Sequence, residues 1–152
     1  MNNGNRYISE MQKLSHQQSG NLGEALALAK LNSLGIAAYA SPEGAPGHDL
    51  MAVVDGLAHS IEVKTRQFID RPTEISRWPV DMATKGDADF FLFVELDLRT
   101  LSPTFYLLTN EQARATHRIS KGLGNCYPSL VRKAAAANDF SQLLAAGAPN
   151  AL

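Results

Sequence analysis

The hydrophobic pattern of the chain changes period several times. Between residues 6 and 18, Ile8, Met11 and Leu14 recur at helical spacing, and Gly20 interrupts the run. Asn21 to Leu34 is rich in Ala and Leu and stops at Gly35, the pattern of a clear helix. Ile36 to Ala40 reads as a short apolar strand. Pro42, Gly44, Pro46 and Gly47 then mark a tight, irregular loop. Asp49 to Val54 and Ala58 to Arg66 have strand character and flank Asp55-Gly56, a strong hairpin-turn signal. Thr73 to Lys85 reads as a loop and a helix crossing the sheet. Asp89 to Leu96 is the most apolar strand, through Phe90-Phe91-Leu92-Phe93-Val94, and Thr104 to Leu108 is another. Thr109 or Asn110 caps a helix running to about His117. Lys121 to Pro128, with two glycines, reads as a loop, and the Ala-rich Ser129 to Ala146 as a helix. This order predicts an α/β fold, a mixed central β-sheet flanked by helices. With 152 residues, no internal repeat and no long linker, a single domain over residues 1–152 is expected.

Composition narrows the class. Hydrophobic residues make up 45% of the chain and charged residues 19%, the balance of an ordinary globular core. That excludes a largely disordered chain and a highly basic nucleic-acid coat. A single cysteine, Cys126, excludes an internal disulfide framework and any multi-cysteine zinc site. Met1 to Leu14 is polar and has no secretory core, and no apolar run approaches the ~18 residues of a membrane span. A cytoplasmic protein without membrane association is expected. The net charge of −1 hides an asymmetry. Residues 1–97 hold 8 basic and 13 acidic side chains, whereas residues 98–137 hold six basic ones against Glu111 alone.

Three places carry candidate chemistry: Glu24, Asp49 and Glu62-Val63-Lys64. In a strand, Glu62 and Lys64 share one face, about 6–7 Å apart, while Ile61 and Val63 point to the core. The same pattern belongs to any half-exposed strand. The hairpin adds to it. If Asp55 and Gly56 form a two-residue turn, Asp49 lies directly opposite Glu62; a four-residue loop puts it opposite Lys64, on the same face. In the first register the two carboxylates have Cβ atoms about 4.5–5.5 Å apart, unfavourable unless something positive lies between them. Mg²⁺ meets that need, with oxygen ligands from one or two carboxylates plus substrate phosphate. Glu24 is open to two readings. It lies on an apolar stripe with Ala27, Leu28 and Leu31, an unusual place for an acid. It also stands three residues after Asn21, in the spacing of a capping box.

Taken in order, Gly20-Asn21-Leu22-Gly23-Glu24, Leu34-Gly35-Ile36, Gly47-His48-Asp49-Leu50 and Ile61-Glu62-Val63-Lys64-Thr65 resemble the PD-(D/E)XK nuclease superfamily. That is the fold of many restriction endonucleases and of archaeal-type Holliday junction resolvases. The likeness covers about residues 20–66 and continues more loosely through Trp78 and Ala88 to Val94. One departure is His48, where the motif name has proline. The resemblance implies a restriction endonuclease-like core and a metal-dependent nuclease that hydrolyses phosphodiester bonds, in DNA above all. Asp49, Glu62, Lys64 and Glu24 would form its catalytic site. Asp49 and Glu62, helped by Glu24, would hold Mg²⁺, for which Mn²⁺ substitutes. Lys64 would orient water and offset charge on the phosphate. A homodimer is implied, because one site cuts one strand. A non-catalytic nuclease-fold protein that binds nucleic acid or a protein partner is the alternative; clustered acids facing phosphate argue against it.

Further positions bear on nucleic-acid binding. Arg66 shares the face of Lys64. Arg114, His117 and Arg118 share one face at helical spacing and, with Lys121, would make a phosphate-contacting rim. A solvated helix face is the other reading. Trp78 and Tyr127 fit core packing better than base stacking. His48 and His59 read as a loop residue and an exposed hairpin residue, and His16 and His117 lack zinc spacing.

Overall fold

A computed structural model describes residues 12–42 and 48–146. Helix α1 spans His16–Ser33 and begins at Ser15, whose hydroxyl accepts from the Gln18 backbone N–H at 3.1 Å while the Gln18 side chain accepts from the Ser15 N–H. This capping box satisfies donors that the first turn leaves orphaned. The helix therefore runs straight through Gly20, and Asn21 lies inside it rather than at its cap. Residues 12–15 are not helical, and residues 1–11 of the expected first helix lie outside the described residues. Gly35, at φ +80°, ends the helix in a left-handed conformation that costs glycine little.

A five-stranded sheet follows, from β1 (Ala37–Ala40), β2 (Leu50–Val54), β3 (Leu57–Phe68), β5 (Phe90–Asp97) and β6 (Ser102–Thr109), in the order β1-β2-β3-β5-β6. Only β3 and β5 run parallel. The turn between β2 and β3 is the two-residue Asp55-Gly56, with both φ angles positive (50° and 80°), as a tight hairpin requires. Between β3 and β5 the chain forms a 3₁₀ turn (Pro72–Glu74), the two-residue β4 (Trp78–Pro79) and a one-turn helix α2 (Met82–Lys85). Parallel pairing starts where Ser60 and Asp89 exchange two backbone-to-side-chain hydrogen bonds, both 2.9 Å. The sheet is mixed and flanked by helices, as the pattern predicts.

Strand β5 is buried on both faces, which explains its unbroken apolar run. Phe90, Leu92 and Val94 join Ile61, Val63, Leu50, Ala27 and Leu31 beneath α1. Phe91 and Phe93 join Trp78, Leu108, Cys126 and Val131 on the other face. Trp78 is fully buried against Phe93 and donates its indole N–H to Val94 O, so it is a core residue with no face left for a base. Burial pushes the Cys126 thiol up, the state of an inert cysteine.

Two further segments differ from expectation. Helix α3 (Asn110–Thr116), capped by Thr109 with Gln112, ends one residue early; His117 is already extended. Strands β7 (His117–Ser120) and β8 (Leu123–Cys126) then form a hairpin, turned at Lys121-Gly122 with φ 52° and 76°. With β4 they make a second sheet, in the order β4-β8-β7, where the sequence pattern indicates a loop. The Ala-rich tail is two helices, α4 (Pro128–Ala134) and α5 (Ser141–Ala146). Asn138, at φ 59°, separates them, donating its N–H to Phe105 O and accepting from Phe105 N–H through its side chain. That pair covers groups on the outer edge of β6, which favours the break over a continuous helix.

Candidate functional site

The site lies where β2 leaves β3. Their pairing ends at Leu50 with Ile61, so Asp49 follows at the position facing Glu62, the register of the two-residue turn. The Asp49 N–H donates to Ile61 O, and its Oδ2 accepts from Val63 N–H at 2.8 Å. One carboxylate oxygen thus takes the backbone donor that β2 no longer covers. From there to Phe68, β3 pairs within its sheet with β5 alone. The chain before α1 docks on this stretch. The Gln67 side chain accepts from Leu14 N–H and donates to Leu14 O, at 2.9 and 2.7 Å. Further along α1, a Cβ on Gly23 would overlap the Thr65 side chain. Glycine lets the helix backbone touch the strand, and the next residue is Glu24.

Glu24 has no capping duty, because Ser15 and Gln18 perform it. Its carboxyl meets that of Asp49, and its pKa is raised to about 7 by burial, then by Asp49 repulsion and their shared hydrogen bond; Lys64 and Lys85 oppose the shift. Glu62 is 2% exposed. Its pKa is also raised to about 7, by burial first and Asp49 second, again against the two lysines. Glu62 Oε1 lies 3.2 Å from Lys64 Nζ and 3.9 Å from Lys85 Nζ. Its Oε2 is buried with no hydrogen-bond partner.

Asp49, Glu62, Lys64 and Glu24 thus come together. Lys85, at the end of α2, is a member that sequence reasoning misses. Its signal is faint: Asp81, which caps α2 by accepting from Ala83 N–H, stands four residues before it, and Gly86 follows. Arg66 lines a cavity of about 450 Å³ with Lys64, Trp78 and Pro79, on the Glu62 and Lys64 face. The proposed helical rim does not exist as such. Arg114 stays on α3, where it donates to Gly86 O and Asn110 Oδ1 and braces the turn after Lys85. His117 and Arg118 are on β7, and Lys121 is in the hairpin turn. The helix stops because the Lys121-Gly122 turn draws residues 117–120 into a strand. Arg118 folds onto Ala115 O and His117 O at 2.8 Å. Of the histidines, His59 is half-buried, edge-on to Phe90, rather than exposed.

The donor set suits a hard cation. Carboxylate oxygens supply it, and Glu62 Oε2 is desolvated without a partner, a costly state for a charged group. Among the described residues, no group of three or more His, Cys, Asp or Glu side chains is placed to hold a metal ion. A Mg²⁺ held by fewer carboxylates would take its remaining ligands from water and phosphate oxygens.

No protein-family model matches the chain. No curated protein matches it. Among solved structures, the chain is similar to a bacterial homing endonuclease, at 15% identity and a TM-score of 0.49, over 65% of this chain and 68% of that one. No described helix is long and apolar enough to cross a membrane.

Proposed function

We propose that the protein is a Mg²⁺-dependent nuclease of the PD-(D/E)XK type, with DNA as substrate. The observation that carries this reading is the buried, partnerless Glu62 oxygen, set beside Asp49, Glu24 and two lysines at the fork of β2 and β3. An unsatisfied buried acceptor costs about 1–3 kcal/mol or more, a cost that a bound cation would offset. Asp49 and Glu62 would hold the cation, with Glu24 as third acid and Mn²⁺ as substitute. Bound there, a divalent cation supplies positive charge to a phosphate oxygen and lowers the pKa of its water.

The chain's own residues do the remainder. Val63 N–H holds Asp49 Oδ2, which orients the carboxylate towards Glu24 and Glu62. Lys64, half-buried beside Glu62, places an ammonium where phosphate charge develops. Without a cation Glu24 and Glu62 have pKa values near 7, and a bound cation would hold both ionised. A homodimer, each subunit cutting one strand, belongs to the same proposal.

Plasmid nicking with Mg²⁺ and with EDTA tests it. Asp49→Asn and Lys64→Met are each expected to lower cutting by about 10²–10³-fold with the fold retained. Wild-type cutting by either variant sinks the assignment. DNA binding by the native protein without cutting in Mg²⁺ or Mn²⁺ favours the binding-only reading.

A further inference from the structure

The β7–β8 hairpin has features that neither the core nor the site uses. Ile119 is 74% exposed and Leu123 65%, more than any other large apolar side chain described. Ile119 pairs with Gly124, and Ser120 with Leu123. Adjacent pairs alternate faces, so Ile119 shares a face with His117 and Cys126, and Leu123 shares the opposite face with Arg118 and Asn125. A flat partner would cover one of these residues. A ribbon with apolar side chains on both faces of its tip fits a groove that the tip can enter.

Charge and position narrow the occupant. No acid occurs between Glu111 and Asp139, so Arg118 and Lys121 are not offset within the hairpin. The acid in the cavity at its foot is Asp81, whose carboxylate is used as the α2 cap. That cavity, about 430 Å³, is lined by Ile119, Leu123, His117 and Pro79. Pro79 also lines the cavity of Lys64 and Arg66. Duplex DNA fits both the charge and the shape: its major groove is flanked by phosphates, admits a two-stranded ribbon and offers thymine methyls on its floor for apolar contact.

We propose that the β7–β8 hairpin is a duplex-DNA recognition ribbon whose tip enters the major groove, where Ile119 and Leu123 meet thymine methyls on the base edges, with Arg118 and Lys121 on flanking phosphates. This rests on the nuclease reading of the site. The test is fluorescence anisotropy of the full chain, with Ca²⁺, on a labelled 30-base-pair duplex and on one of its strands alone. The Ile119→Ser/Leu123→Ser protein is expected to bind the duplex at least tenfold more weakly, with less than a twofold change on the single strand. Its hydrolysis of bis(4-nitrophenyl) phosphate stays at the native rate. Lys121→Gln lowers the salt slope of duplex binding by about one. Unchanged duplex affinity overturns the hairpin's role, as does a native dimer that the double substitution dissociates. If the native protein cuts neither plasmid nor the small diester, the nuclease reading fails by itself, and the anisotropy still decides the hairpin.

Discussion

The two oxygens of Glu62 have different surroundings, and the difference defines what each neighbour does. Oε1 faces two ammonium groups, and Oε2 faces none. Lys85 reaches Oε1 from a separate element and is about two-thirds buried, so its removal touches charge more than packing. Lys85→Ala is expected to slow single-turnover nicking by about 10–100-fold, with Lys85→Arg recovering part of the loss. Lys85 also holds down the Glu62 pKa, so the alanine protein's rate profile should shift towards higher pH. An unshifted profile with a native rate removes Lys85 from the site. Lys85 is not legible from the chain because its significance depends on its approach to Glu62 of β3, a tertiary fact. Glu62 and Lys64 were legible because alternation along one strand is local, and Asp49 because a two-residue turn fixes register by counting.

At the scale of elements, α1 is placed by two contacts at its N-terminal half, Gln67 with Leu14 and Gly23 with Thr65. Gly23→Ala puts a methyl into the Thr65 side chain. Overpacking of this kind costs about 1–3 kcal/mol and moves the helix off the strand. Denaturant unfolding of the variant should show that loss, and nicking should fall because Glu24 moves with the helix. Adding Thr65→Ala should restore much of both; strict additivity would mean the two do not meet. Element prediction succeeded where periodicity decides. The Asp55-Gly56 hairpin, the apolar β5 and the Thr109 cap all follow from local pattern. It failed where tertiary pairing decides. Leu123 to Cys126 has no strong strand propensity, yet pairs with both β4 and β7. Asn138 divides an Ala-rich run because an edge of β6 needs partners.

Over the whole molecule, the acids at the fork make stability depend on protons and cations. Glu24 and Glu62 have folded pKa values near 7 against 4.5 unfolded. Between those values the folded chain binds more protons, so stability falls as pH rises from about 4.5 through 7. Glu74 and Asp139 shift downward, held by backbone hydrogen bonds, and act only at lower pH. In EDTA, Tm should therefore be higher at pH 5 than at pH 8. Mg²⁺ or Mn²⁺ should restore it at pH 8, since a cation that binds only the folded state stabilises it by mass action. Glu62→Gln should flatten both responses in thermal unfolding scans. A flat native curve would mean the carboxyls ionise normally. The near-zero net charge is then a sum of two parts: an acidic front with Glu24, Asp49 and Glu62 at the fork, and a basic rear with Arg118 and Lys121 in the hairpin.

The hydrogen bond from Val63 to Asp49 has a spectroscopic consequence. It joins a backbone amide to the carboxylate on which a cation would act. That amide proton is a built-in reporter: its resonance position and its deuterium-exchange lifetime read the charge state and occupancy of the fork from inside the sheet, with no label and no substrate.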